Sequence, residues 1–239
     1  MTNFKIFIAL FTSIIQYSAS QMESIDITCS YGPSTWYGTT KFNECSVSNK
    51  LVVVKRNYKV KSVKIITEKV KAELTEVESL SIEYVVMYFL LQGFENHLQN
   101  ITALRLGFCQ LKEITKNDLK VFPKLKFLWI WENDLEVLEA DLFLYNPDMI
   151  YINFYWNFLK SIDANIFNNL KSLDLVYMYK NTCINMDAKN KEELLKLVDV
   201  IKEKCMDKKK EDFVKKVGNF CGKNEIFTNY FLWIFVIFI

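Results

Sequence analysis

Glycine and proline are scarce in this chain, with six glycines and three prolines among 239 residues. That shortage argues against a low-complexity chain and against a turn-rich β-sandwich, both of which draw heavily on these residues. Histidine is scarcer still: His97 stands alone in the loop-like QGFENHLQN, and no Ser–His–Asp arrangement can be built on it. The six cysteines include no C-x-x-C pair, which removes the usual zinc spacing. Neither G-x-G-x-x-G nor G-x-x-x-x-G-K-[ST] occurs, so no phosphate loop is expected. An excess of one charge is also missing. Thirty basic against 28 acidic residues leave a net charge of +2, no argument for nucleic acid. Glu132, Asp134, Glu136 and Glu139 are scattered around turns and read as solvated surface. No enzymatic activity, cofactor or metal is expected.

What the chain does have is apolar residues, 51% of the total, with ends that look like targeting segments. MTNFK is a basic start, residues 6–15 are apolar, and Ser18-Ala19-Ser20 supplies the small residues a signal peptidase reads. Residues 1–20 are therefore expected to be removed. The apolar run is shorter than the ~20 residues needed to span a bilayer. At the other end residues 230–239, YFLWIFVIFI, are continuously apolar and follow a polar stretch, 223–229. A lipid-anchor signal has this shape, with Gly218, Asn219 and Gly222 as attachment candidates; a sticky tail or a last strand are the alternatives. The chain is expected to be extracellular, secreted or held at the cell surface, where cysteines pair.

The middle of the chain repeats. ITALRLGFCQLKEI from Ile101, LKFLWIWENDLEVL from Leu125, MIYINFYWNFLKSI from Met149 and LDLVYMYKNTCINM from Leu173 start 24 residues apart. Apolar residues recur at the first, fourth and sixth positions, and the ninth is Cys109, Asn133, Asn157 and Asn181. One step earlier, VESLSIEYVVMYFL from Val77 keeps the apolar frame but has Val85 at the ninth position. The pattern L-x-x-L-x-L-x-x-N/C-x-L resembles the leucine-rich repeat family, and more particularly its small secreted or cell-surface members in animals, arthropods among them.

The resemblance implies an α/β fold: a stack of parallel strands forming the concave face of a curved solenoid, with neighbouring repeats sharing one core. The ninth-position Asn is expected to satisfy buried backbone, with Cys109 a weaker substitute. Val85 cannot do this, so the repeat from Val77 is expected to be irregular. Leu142, Phe143, Ile166 and Phe167 fall on a returning outer segment. The organisation expected is a leader (1–20), an N-terminal cap with edge strands (21–76), repeats (77–186), a helical C-terminal cap (187–207), a polar stalk (208–229) and the hydrophobic tail (230–239).

Cysteines fall where the ends of such a stack need closing. Cys29 and Cys45 flank the mature N-terminal segment. Cys183 and Cys205 bracket KNKEELLKLVDVIKEK, whose Leu194, Leu195, Val198 and Ile201 have helical spacing. A clasp Cys29–Cys45 and a helix tied back by Cys183–Cys205 are expected, although connectivity does not follow from sequence alone. Cys109 is expected to be a buried free thiol, and Cys221 unpaired or in the removed tail. Ahead of the repeats, LVVVKRNYKVKSVKIITEKVK alternates valine with lysine. It predicts edge strands whose lysines deter aggregation or attract anionic membranes or glycans. Asn100-Ile101-Thr102 is a glycosylation sequon.

One feature exceeds what a stack requires. The third, fifth and seventh positions point away from the core, and the eighth lies at the edge. They carry Phe127, Trp129, Trp131, Tyr151, Tyr155, Trp156, Tyr177 and Tyr179. These rings either stack on one another and stabilise the sheet or form a contact surface. The expectation is a protein ligand bound through the concave face in recognition, adhesion or innate defence. A homodimer through the same face, or glycan or lipid binding in defence, are the rivals. Membrane attachment through the tail is one of the alternatives for residues 230–239; nucleic acid is not expected.

Overall fold

A computed structural model describes residues 22–36, 40–67 and 73–206. The leader, Lys69, Lys71, the stalk, Cys221 and the attachment candidates Gly218, Asn219 and Gly222 lie outside the described residues. The chain opens with β1 (Glu23–Trp36), β2 (Thr40–Val47), the two-residue β3 (Val52–Val53) and β4 (Tyr58–Ile66). The next strands are β5 (Ser79–Glu83), β6 (Val86–Met87), β7 (Ala103–Gly107), β8 (Phe127–Trp131) and β9 (Val137–Leu138). Last come β10 (Tyr151–Asn153), β11 (Ser161–Ile162), β12 (Leu175–Tyr177) and β13 (Asp187–Ala188). Two α-helices are present among the described residues, α1 (Lys116–Lys120) and α2 (Lys191–Lys204).

The result is an α/β fold built on a mixed, mostly parallel nine-stranded sheet in the order β13-β12-β10-β8-β7-β5-β2-β1-β4. Its register follows the sequence period. Leu80 pairs with Leu104, Leu104 with Leu128, Leu128 with Ile152 and Ile152 with Val176, each 24 residues on. These residues, and Ile82, Leu106, Ile130, Phe154 and Met178 two positions further along, are buried on one face. Burying each such side chain contributes roughly 1.5–3 kcal/mol. Leu142, Phe143, Ile166 and Phe167 close that layer from behind and are buried as expected.

The ninth-position side chains tie each unit to the one before it. The Asn133 amide donates to Leu106 O (2.8 Å) and accepts from Cys109 N and Leu111 N (both 3.0 Å). Asn157 repeats this toward Ile130 O and Leu135 N, and Asn181 toward Phe154 O and Leu159 N. Cys109 follows the same rule with sulfur, its Sγ donating to Ile82 O at 3.1 Å. The same side chains also bond their own turns, Asn133 to Trp131 O, Asn157 to Phe154 O and Asn181 to Met178 O. The expectation for Val85 is nonetheless corrected, since its unit keeps register without such a side chain. The strand β5 aligns with β7 over all five of its residues, and the preceding turn is instead supplied by β3, paired in parallel with β6.

The N-terminal segment departs most from expectation. β1 and β2 form a long antiparallel hairpin, Cys29 is joined to Cys45 at its base, and β2 joins the sheet against β5. β4 forms the edge predicted from the valine–lysine alternation, with Val60 buried and Lys59, Lys61 and Lys64 exposed. Arg56 crosses 62 residues of sequence to pair with the buried Asp118 at 3.0 Å, and so anchors this segment to α1. At the other end α2 is tied back by Cys183–Cys205. Asn190 caps it by accepting from Glu193 N at 2.9 Å. Leu197 and Ile201 face the core, whereas Leu195 is exposed, a correction to the predicted apolar face. Each disulfide closes a loop of 16 or 22 residues, worth about 3 kcal/mol by loop entropy.

Candidate aromatic interaction surface

On the face opposite the core, outward residues align in columns across β5, β7, β8, β10 and β12. The first column reads Ser79, Ala103, Phe127, Tyr151, Leu175, and the next Ser81, Arg105, Trp129, Asn153, Tyr177. The structure brings the sequence-predicted aromatic residues together, and it adds two that sequence reasoning missed. Trp36 and Phe42, from the far end of the β1–β2 hairpin, lie over Ala103, Phe127 and Trp129 as a separate small core. Ring centroids are 5.4 Å apart for Trp36–Trp129 and for Phe42–Phe127. Contacts continue from Trp129 to Tyr151 (5.1 Å) and from Tyr151 to Tyr177 (5.5 Å). Tyr151 is consequently only 3% exposed, a correction to its expected place on an open surface: its neighbours' rings cover it. A long stretch between two paired cysteines, holding Trp36 and Phe42 with no repeat partner, was the available signal for this cover.

Charge is buried under the hairpin. Glu44 accepts from Trp36 Nε1 at 2.7 Å and from the hydroxyls of Ser46 and Ser79. The Arg105 guanidinium lies between two indoles, 4.3 Å from Trp36 and 5.0 Å from Trp129. It stands 3.8 Å from Glu83. Burial, reinforced by the charge of Glu44 and opposed by Arg105, pushes the Glu83 carboxyl above its ordinary 4.5.

The far half of the face is open. Tyr155 and Tyr179 stack on each other at 6.4 Å, and Tyr179 is 42% exposed. Trp131 sits between the two regimes. Its indole lies against Gly107, where a Cβ would come within 2.7 Å of the indole nitrogen, and it packs against Phe108 in a T-shaped contact at 4.8 Å.

The eighth positions form a separate rim. Tyr84, Phe108, Glu132, Trp156 and Lys180 all have positive φ, between 51° and 58°. This left-handed turn costs roughly 1–2 kcal/mol for a residue with a Cβ and is the natural place for glycine. Here it carries large side chains. Tyr84 and Trp156 are 73% and 45% exposed.

The remaining candidates are placed as follows. Asn100 is half-buried; its side chain donates to Thr75 O at 2.8 Å and accepts from Lys124 at 2.7 Å. Cys109 is buried and unpaired, and burial pushes its thiol up to about 12. A cleft of about 790 Å³ lies away from the aromatic face, lined by Phe89, Lys112, Glu113, Asp134, Glu136 and Phe158 among others. Its walls mix cations and carboxylates in the manner of solvated surface. Among the described residues no helix is long and apolar enough to cross a membrane. The two disulfides point to an extracellular or secreted setting. Neither a known protein family nor a curated protein matches the chain.

Proposed function

We propose that this protein is an extracellular, non-enzymatic leucine-rich-repeat binding protein that recognises a protein partner through the open half of its concave aromatic face. The fold reading is supported by the 24-residue register of five parallel strands and by the ninth-position amides that bond one unit back. The observation that carries the functional reading is that Trp131, Tyr155, Tyr177 and Tyr179 sit outside the core and outside the cover of the hairpin. Aromatic rings of this kind are favoured anchors in protein interfaces. The glycan-binding rival is weaker here, because the Tyr155 and Tyr179 rings turn faces toward each other that a sugar would need.

The test is capture of extracellular proteins from the source tissue by the secreted protein and by a Tyr155→Ser/Tyr179→Ser variant. A partner enriched by the first and lost by the second, at equal melting temperature, is expected. Equal capture by both proteins refutes the assignment of this face.

A further inference from the structure

The rim is the part of the molecule that neither the core nor the open face accounts for. Five successive units hold a residue with a Cβ in a left-handed turn that glycine would occupy more cheaply. At the centre of its later half stands Trp156, exposed and flanked one strand away on either side by Glu132 and Lys180. Parallel strands lie ~4.8 Å apart, so the acid and the base are about equally far from the indole, in opposite directions. Neither charge has an ion-pair partner among the described residues. Lys180 instead rests its ammonium 4.1 Å from the Trp156 ring.

An apolar centre with opposite charges at equal distances is self-complementary under a two-fold axis. Rotation by 180° about an axis through Trp156 lays Glu132 of one copy against Lys180 of the other, twice. A two-fold axis through Glu132 would instead oppose like charges. We infer that the rim is a homodimer contact, two copies meeting edge to edge about Trp156 with two reciprocal Glu132–Lys180 ion pairs. The contact uses the ends of the strands and borders the open aromatic face, since Trp156 and Lys180 each also lie near the Tyr155 ring, at 6.0 and 5.6 Å. It does not depend on what, if anything, binds that face.

Charge reversal tests this, because Lys180 is exposed and Glu132 half-buried, and neither has an ion-pair partner among the described residues. Sedimentation of the full secreted chain is measured for wild type, Glu132→Lys, Lys180→Glu and the double variant, with melting temperature as the control on folding. The wild type is expected to dimerise, each single variant to weaken dimerisation at least tenfold, and the double variant to recover it. The wild-type dimer is also expected to weaken at high salt. A monomeric wild type at tens of micromolar overturns the proposal, as does a double variant no better than the singles. Trp156→Cys adds a second readout. A residue on the axis faces its own copy, so this variant should oxidise to a covalent dimer; Phe158→Cys, off the rim, should not. Equal crosslinking of both variants also overturns it.

Discussion

The two halves of the outward face are built from the same residue types and serve opposite ends. In the half nearest the N-terminus, Phe127 and Trp129 are overlaid by a hairpin from the same chain and form a second, small core, with Tyr151 packed beside Trp129. In the other half no described segment lies over Tyr155 and Tyr179. An aromatic side chain facing away from the main core is therefore no sign of a binding site by itself. What separates the halves is whether another part of the chain reaches them.

Substitutions can break this contrast, beginning with the cover. Trp36→Ala removes a ring that touches Phe42, Trp129 and Arg105 and hydrogen-bonds Glu44. Urea denaturation should show a loss of about 3–5 kcal/mol, the usual cost of truncating a buried large aromatic. Glu44→Leu keeps the bulk but orphans the Trp36 indole N–H and the Ser79 hydroxyl, and a loss of roughly 1–3 kcal/mol is expected by the same measurement. Gly107→Ala probes the boundary between the halves. Its methyl displaces the Trp131 indole, so tryptophan fluorescence should shift to the red, with stability reduced by about 1–3 kcal/mol. Tyr179→Ser, in the open half, should change stability by no more than about 0.5 kcal/mol.

Acid sharpens the same contrast. Because burial raises the Glu83 carboxyl, the folded state holds its proton more tightly than the unfolded chain does. The favourable contribution is present below the ordinary carboxylate range and is lost as pH rises through the elevated folded value. Glu83→Gln should flatten that segment of the stability-versus-pH curve, measured by thermal melts from pH 3 to 8. An unchanged slope would show that burial does not raise the Glu83 carboxyl.

Much of this architecture is legible in the sequence because it is local and periodic. A 24-residue recurrence of apolar residues fixes strand, face and register together, since one residue of slippage would exchange the two faces. The roles of Asn133, Asn157 and Asn181 follow from the same period, as does the returning segment around Leu142 and Ile166. What was not legible comes from contacts without a period. The Trp36–Trp129 packing joins residues far apart in sequence, and so does Arg56–Asp118. Tyr151 is covered by the rings of Trp129 and Tyr177, on the strands to either side of it, and that needs both rings to turn toward it. The unit at Val85 keeps its register with β7 without a ninth-position amide, a side chain that elsewhere bonds both its own turn and the one before it.

That backward-reaching amide gives the stack a polarity in time as well as in space. A chain synthesised from its N-terminus delivers each unit before the side chain that completes its turn. The backbone N–H groups of Cys109 and Leu111 wait for Asn133, 22 or more residues behind them. Only at the end does the pattern stop needing a successor, where Asp187 accepts from Met178 N and Tyr179 N, and Asn185 from Lys180 N. Trimming whole units from the C-terminus therefore strands the backbone N–H groups that an Asn would have received, whereas trimming from the N-terminus strands a different set, such as Thr102 N and Lys126 N, which donate to Glu78 O and Thr102 O. Nested deletions from the two ends should not be equivalent, because each end loses different partners.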